Sequence, residues 1–144
     1  MRRLAAAALV LTALALPGGA SATIKPARGM SGVTLGMTPA QVQAKLGSRV
    51  LKSGPRWYYP TLTLTFRGGR VVELTTRKMY ERLANGLGIR STERQLRAAF
   101  PRIRCEAWTI FRRCRLGSDA KGSPVTDFIV DRGRVTQITI ARIL

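Results

Sequence analysis

Along this chain the apolar positions fall into short blocks with two different periods. Residues 61–66, Thr-Leu-Thr-Leu-Thr-Phe, alternate without a break, which predicts a half-buried strand with Leu62, Leu64 and Phe66 inward. Arg-Gly-Gly-Arg at 67–70 is a turn signal, and residues 71–75 return as the partner strand. A second hairpin is predicted from residues 128–130, a turn at 131–134 and a return strand at 135–140. Helical signals precede each hairpin. Thr38 is a good N-cap, Pro39 suits the first helical position, and Gln41 completes a capping box. Met37 and Val42 can staple that start, Val42 and Leu46 share a face, and Gly47 stops the helix. Thr92 and Gln95 repeat the box, with Pro101 as the stop.

The two helices match at an offset of 54 residues, while Gly69-Arg70-Val71 matches Gly133-Arg134-Val135 at an offset of 64. The pattern reads as a duplication whose second copy carries ten extra residues around the two cysteines. The expected organisation is a signal peptide at 1–22, a flexible lead-in at 23–31, a first repeat at 32–77, a linker at 78–88 and a second repeat at 89–144. Within the linker, residues 79–83 suggest a short helical turn with Asn85-Gly86 as its stop, and residues 117–124 read as a polar loop. The fold class expected is α+β: two tandem helix-plus-antiparallel-hairpin units, their helices packed on sheet.

Gly32-Val33-Thr34-Leu35-Gly36-Met37-Thr38-Pro39-Ala40-Gln41-Val42, closing on Leu46-Gly47, resembles the opening of the small outer-membrane-assembly lipoprotein family (SmpA/OmlA). The resemblance covers residues 32–75, and residues 86–140 through the weaker second copy. It implies a short helical start on a small antiparallel sheet. Two such units in tandem resemble the beta-lactamase-inhibitor-protein fold, in which a concave sheet grips partner proteins. The lipoprotein family carries a lipidated Cys after its signal, where this chain has Thr23. The inhibitors' contact residues have no counterpart here, so neither inhibition nor barrel assembly is implied.

The first 22 residues change the picture from fold to location. Arg2 and Arg3 precede an unbroken Ala/Leu/Val/Thr run at 4–16, shorter than the ~20 residues a spanning helix needs. Pro17-Gly18-Gly19 breaks the run and Ala20-Ser21-Ala22 suits signal peptidase. Cleavage after Ala22 makes the protein secreted, periplasmic or part of the cell envelope. The Arg pair fits either the general or the twin-arginine export route.

Charge and composition then narrow the chemistry. Of 25 basic residues 20 are Arg, against 7 acids, and loss of Arg2 and Arg3 takes the net charge from +18 to about +16. Such a charge favours anionic envelope polymers or membrane surfaces; export makes nucleic acid a poor biological target. The chain has no histidine, which excludes His-based catalysis and His metal ligands. Its carboxylates, Glu73, Glu81, Glu93, Glu106, Asp119, Asp127 and Asp131, form no close pair in sequence. Neither a phosphate loop nor a nucleophile elbow is present. The expectation is a non-enzymatic protein without metal or cofactor, a monomer.

Cys105 and Cys114 are the only cysteines. In an exported chain two cysteines pair most often, here within an irregular hairpin over 102–116 whose tip lies near Thr109-Ile110. A redox pair normally uses a C-x-x-C spacing. Arg102, Arg104, Arg112, Arg113 and Arg115 crowd this segment around Trp108 and Phe111. Arg interleaved with aromatics suits interface hot spots or phosphate-bearing polymers, and equally a solvated basic face over two core aromatics. Trp57 and Tyr58 belong to a second aromatic cluster with Tyr59, where alternation sends Tyr58 to the face opposite Trp57 and Tyr59. The leading expectation is an interaction module binding another extracytoplasmic protein through its sheet or the disulfide hairpin. The alternative is a basic binder of anionic envelope polymers or membrane surfaces.

Overall fold

A computed structural model describes residues 23–144; the expected signal peptide at 1–22 lies outside the described residues. Three two-residue strands, β1 (Ile24–Lys25), β2 (Gly29–Met30) and β3 (Val33–Thr34), open the chain as a small antiparallel sheet. Helix α1 (Pro39–Leu46) follows, capped by Thr38 with the reciprocal Thr38–Gln41 capping box and Pro39 at its start. Then come β4 (Leu51–Ser53), β5 (Arg56–Tyr58), β6 (Thr63–Arg67) and β7 (Arg70–Thr76). Helix α2 (Glu93–Ala99) carries the same box on Thr92 and Gln95. It is followed by β8 (Arg104–Trp108), β9 (Phe111–Leu116), β10 (Pro124–Asp131) and β11 (Arg134–Arg142).

The expected α+β arrangement of two helix-plus-hairpin repeats does not form. The described chain is mostly β, 45% strand against 12% helix, with antiparallel sheets of three and eight strands. Each helix is followed by four strands rather than two. All eight join one sheet in the order β4-β5-β6-β7-β11-β10-β9-β8, closed at its centre by the β7–β11 ladder. The physical reason is area. Helices of eight and seven residues, with Val42 and Leu96 as their fully buried side chains, cannot cover a core alone, so the sheet supplies most of the apolar surface.

Two inward rows cross the sheet. Trp57, Leu64, Leu74, Ile140, Thr126 and Leu116 stand in register, and so do Thr76, Ile138, Phe128, Cys114 and Cys105. The helices and the small sheet contribute Val42, Leu96, Ile24, Met30 and Val33 to the same core. One face of the large sheet is therefore covered and the other is open. A bulge at Thr65/Phe66 turns Phe66 only partly inward, where its ring packs at a tilt 4.7 Å from Trp57.

Residues 23–31 are no flexible lead-in. Ile24 and Met30 are buried, and a Cβ at Gly29 would collide with the Val33 carbonyl oxygen, so only glycine fits there. Residues 79–83 form a turn and a bridge, Arg82 to Gly88, instead of a helical turn.

Candidate binding face and disulfide hairpin

The side chains that alternate with the core rows make the open face. Its central row runs Leu51, Tyr58, Thr63, Thr75, Thr139, Asp127, Arg115 and Arg104 in register across all eight strands. Thr75 and Thr139 hydroxyls bond to each other at 3.0 Å, and Thr65 donates to Glu73 at 3.2 Å. Over β5 to β7 and β11 the face forms a shallow trough of ≈ 650 Å³, with Arg56, Tyr58, Glu73, Arg77 and Gln137 among its walls. Arg77 holds Gln137 through two guanidinium hydrogen bonds of 2.9 and 2.7 Å. Of these residues Tyr58 is a candidate from the sequence, whereas Arg56, Glu73, Arg77, Gln137 and the threonines are not. Thr63, Thr65, Glu73, Thr75, Gln137 and Thr139 are polar positions of the strands expected at 61–66, 71–75 and 135–140, while Arg56 and Arg77 lie outside those strands.

Cys105 and Cys114 form a disulfide between directly opposed residues of β8 and β9. It points to the covered side, so the hairpin's other face is free to carry function. Trp108 and Phe111 close the hairpin as partners, their rings 6.0 Å apart, and the Arg113 guanidinium lies 4.6 Å from the Trp108 ring centroid. Trp108 is 49% exposed, and Ile110 at the tip is 85% exposed. Thr109 takes the positive φ of 42° that the two-residue tip requires.

The hairpin arginines are mostly held by carboxylates. Arg115 grips Asp127 in a bidentate pair at 2.7 and 2.6 Å and reaches Asp119 at 2.7 Å. Arg104 bonds Asp119 at 2.6 Å, and Arg113 pairs with Glu106. Arg112 lies on the covered side and anchors α2 through Glu93 at 2.7 Å. Hydrogen bonds from Arg112, with Arg97 adding to them, hold the Glu93 carboxyl below its ordinary range against the opposing effect of burial. Arg104 and Arg115 do the same to Asp119. The Asp127 hydrogen bond is the main cause raising Arg115 above the usual guanidinium range.

The structure therefore splits the sequence candidates. Trp108, Phe111, Arg104, Arg113 and Arg115 share the open face with Tyr58, which is 38% exposed. Arg102 is exposed before β8 and outside any ion pair among the described residues. Arg112 belongs to the α2 anchor. Trp57 leaves the candidate site. It is 8% exposed, packed on Phe66 and under the Lys52 ammonium, because its position in β5 points to the core. Glu93 lies within 4.8 Å of both cysteine sulfurs, but sulfurs bonded to each other offer no thiolate to a metal.

The chain matches no known protein-family model, no curated protein and no solved structure. The resemblance of residues 32–75 to the lipoprotein family thus rests on its motif alone, and the site must be read from its own geometry.

Proposed function

We propose that the chain is an exported, non-enzymatic interaction module that docks another extracytoplasmic protein on the open face of its large sheet. The observation that carries this reading is the make-up of that face. Its floor is a threonine row, Thr63, Thr75 and Thr139, and exposed aromatics, Tyr58 and Trp108, stand on either side of it. Eight strands at their ordinary spacing span about 33 Å, giving a projected area on the order of 600 Å² for strands of about five residues. That approaches the roughly 800 Å² that each partner covers in a specific protein complex, whereas small-molecule sites are enclosed and mostly apolar. Short hydroxyl side chains allow a partner close approach, and aromatics at the margins are natural anchors. Because Arg104, Arg113 and Arg115 already hold carboxylates, the hairpin's charge is largely spoken for.

The anionic-surface reading keeps one observation in its favour. Of the 23 basic residues in 23–144, 18 stand outside every ion pair among the described residues. The two readings separate in an affinity capture from culture medium and envelope extract, eluted along a salt gradient. Retention of one discrete protein at high salt, lost in both Trp108→Ala and Tyr58→Ala, is the expected result. Release of phosphate-rich polymer or lipid at moderate salt, with no discrete protein, would establish the electrostatic binder instead.

A further inference from the structure

Among the described residues Glu81 is the only charged side chain in the buried core, at 1% exposure. Among the described residues its Oε1 accepts from the Ser31 hydroxyl, while Oε2 has no hydrogen-bond partner and no cation pairs with the carboxylate. A buried carboxylate left in that state is strongly disfavoured, so the position calls for a counter-charge.

Thr23 is fastened to both neighbours of that carboxylate. Its carbonyl oxygen accepts from Ser31 N at 2.9 Å, and Ser31 is the residue whose side chain donates to Glu81. Its hydroxyl oxygen accepts from Arg82 N at 3.0 Å, and its own nitrogen donates to Arg82 O at 3.0 Å. While Thr23 follows Ala22 in an uncut chain, that nitrogen is a peptide N–H with a single proton, already used on Arg82. Hydrolysis of the Ala22–Thr23 bond by a signal peptidase consumes one water, leaves a carboxylate on Ala22 and frees the Thr23 amine, which takes up a proton. The resulting α-ammonium has three N–H donors. One keeps the Arg82 bond, and two, with a full positive charge, are left without a partner on a residue bonded to both Ser31 and Arg82.

We infer that Glu81 is the receptor for the mature N-terminus: cleavage after Ala22 supplies the Thr23 α-ammonium as its counter-charge, and processing thereby completes the fold. The inference rests on the export reading. It also accounts for residues 23–31 being built into strands rather than trailing from the domain.

The test compares the full chain, expressed with its signal and recovered after export, with the same chain carrying one glycine inserted between Ala22 and Thr23. Cleavage after Ala22 then leaves Thr23 N a peptide nitrogen and moves the charge one residue away. Both forms are made with Glu81 and with Glu81→Gln, and their melting temperatures are compared as a double-mutant cycle. The insertion is expected to lower Tm by about 5 °C with Glu81 and by less than about 1 °C in Glu81→Gln. An equal loss in both backgrounds overturns the pairing. Should Glu81→Gln not fold, the pH dependence decides. The gap between wild type and inserted chain should close as pH rises past the ordinary α-amine range of about 8, and a pH-independent gap overturns the pairing. Intact mass of the exported protein separates the two claims. A first residue other than Thr23 removes the export reading's cut and the inference with it, whereas a correct cut without coupling removes the inference alone.

Discussion

Arg115 and Asp127 are 15% and 14% exposed and face each other across β9 and β10, joined by two parallel hydrogen bonds. Removing the guanidinium strips Asp127 of both and leaves Asp119 with Arg104 alone. Arg115→Ala should therefore cost about 2 kcal/mol in urea unfolding. Arg115→Lys should recover only part of that, since an ammonium cannot reproduce the planar fork. A loss confined to a few tenths would mean that the pair is solvated and the hairpin held by other contacts. The arginines of this pair and its neighbours were legible in the sequence as a cluster, but their partners were not. Asp127 and Glu93 lie 12 and 19 residues from Arg115 and Arg112. Only sheet register and the packing of α2 bring them together, which is why a run that reads as a basic patch is in large part an ion-pair lattice. Trp57 failed as a candidate for a related reason: alternation tells that it faces away from Tyr58, not which of those faces is covered.

At the scale of the element, local signals were the readable ones. Both helices begin at the threonines that their capping boxes mark, because capping is settled within four residues and needs no tertiary partner. Strand β6 announced itself by alternation, and β7 and β11 as the return strands after glycine turns. Strands β4 and β5, three residues each, are too short for any period to register. β8 and β9 carry arginines on both faces, so apolar alternation is lost there although the strands pair in full. The disulfide gives that hairpin what a hydrophobic inner row gives the others. Closing a ten-residue loop is worth roughly 2.5 to 3 kcal/mol in the chain-entropy model. A Cys105→Ala/Cys114→Ala double variant should lose about that much, in denaturant unfolding under oxidising conditions, and become more susceptible to proteolysis between Ile103 and Leu116. Equal stability of the oxidised protein and the double variant would show that the ladder to β10 alone holds the hairpin. Should partner capture survive in a double variant whose hairpin has become protease-sensitive, the hairpin would also be ruled out as a docking element.

For the whole molecule, the β7–β11 ladder decides what the sequence left open. Two matched halves were visible at their offsets, but whether their strands would form separate small sheets or one large sheet depends on Thr75–Thr139 and Leu74–Ile140 meeting across 60-odd residues of chain. No local pattern encodes that pairing. One continuous sheet leaves one broad open face, and the arginine–carboxylate pairs on both of its sides share an electrostatic fate in acid. Glu93 and Asp119 are held below their ordinary values of 4.5 and 3.8 by arginine hydrogen bonds. A carboxylate depressed in the folded state contributes stability that is present above its unfolded value and is lost as pH falls through its folded one. Without histidine in the chain, no side chain has an unperturbed titration between about pH 5 and 8. Tm should accordingly stay flat from pH 7 to about pH 5 and then drop, by on the order of 5 °C or more by pH 3. Protonation at that stage both releases arginines from their partners and raises a net charge that already starts at +18 for the full chain, so repulsion steepens the fall. Added salt should soften the repulsive part without restoring the pairs. Glu93→Gln, measured across the same range, should start lower at pH 7 and fall less between pH 5 and 3. A variant that tracks the wild-type curve in parallel would place the acid sensitivity outside the Glu93–Arg112 anchor.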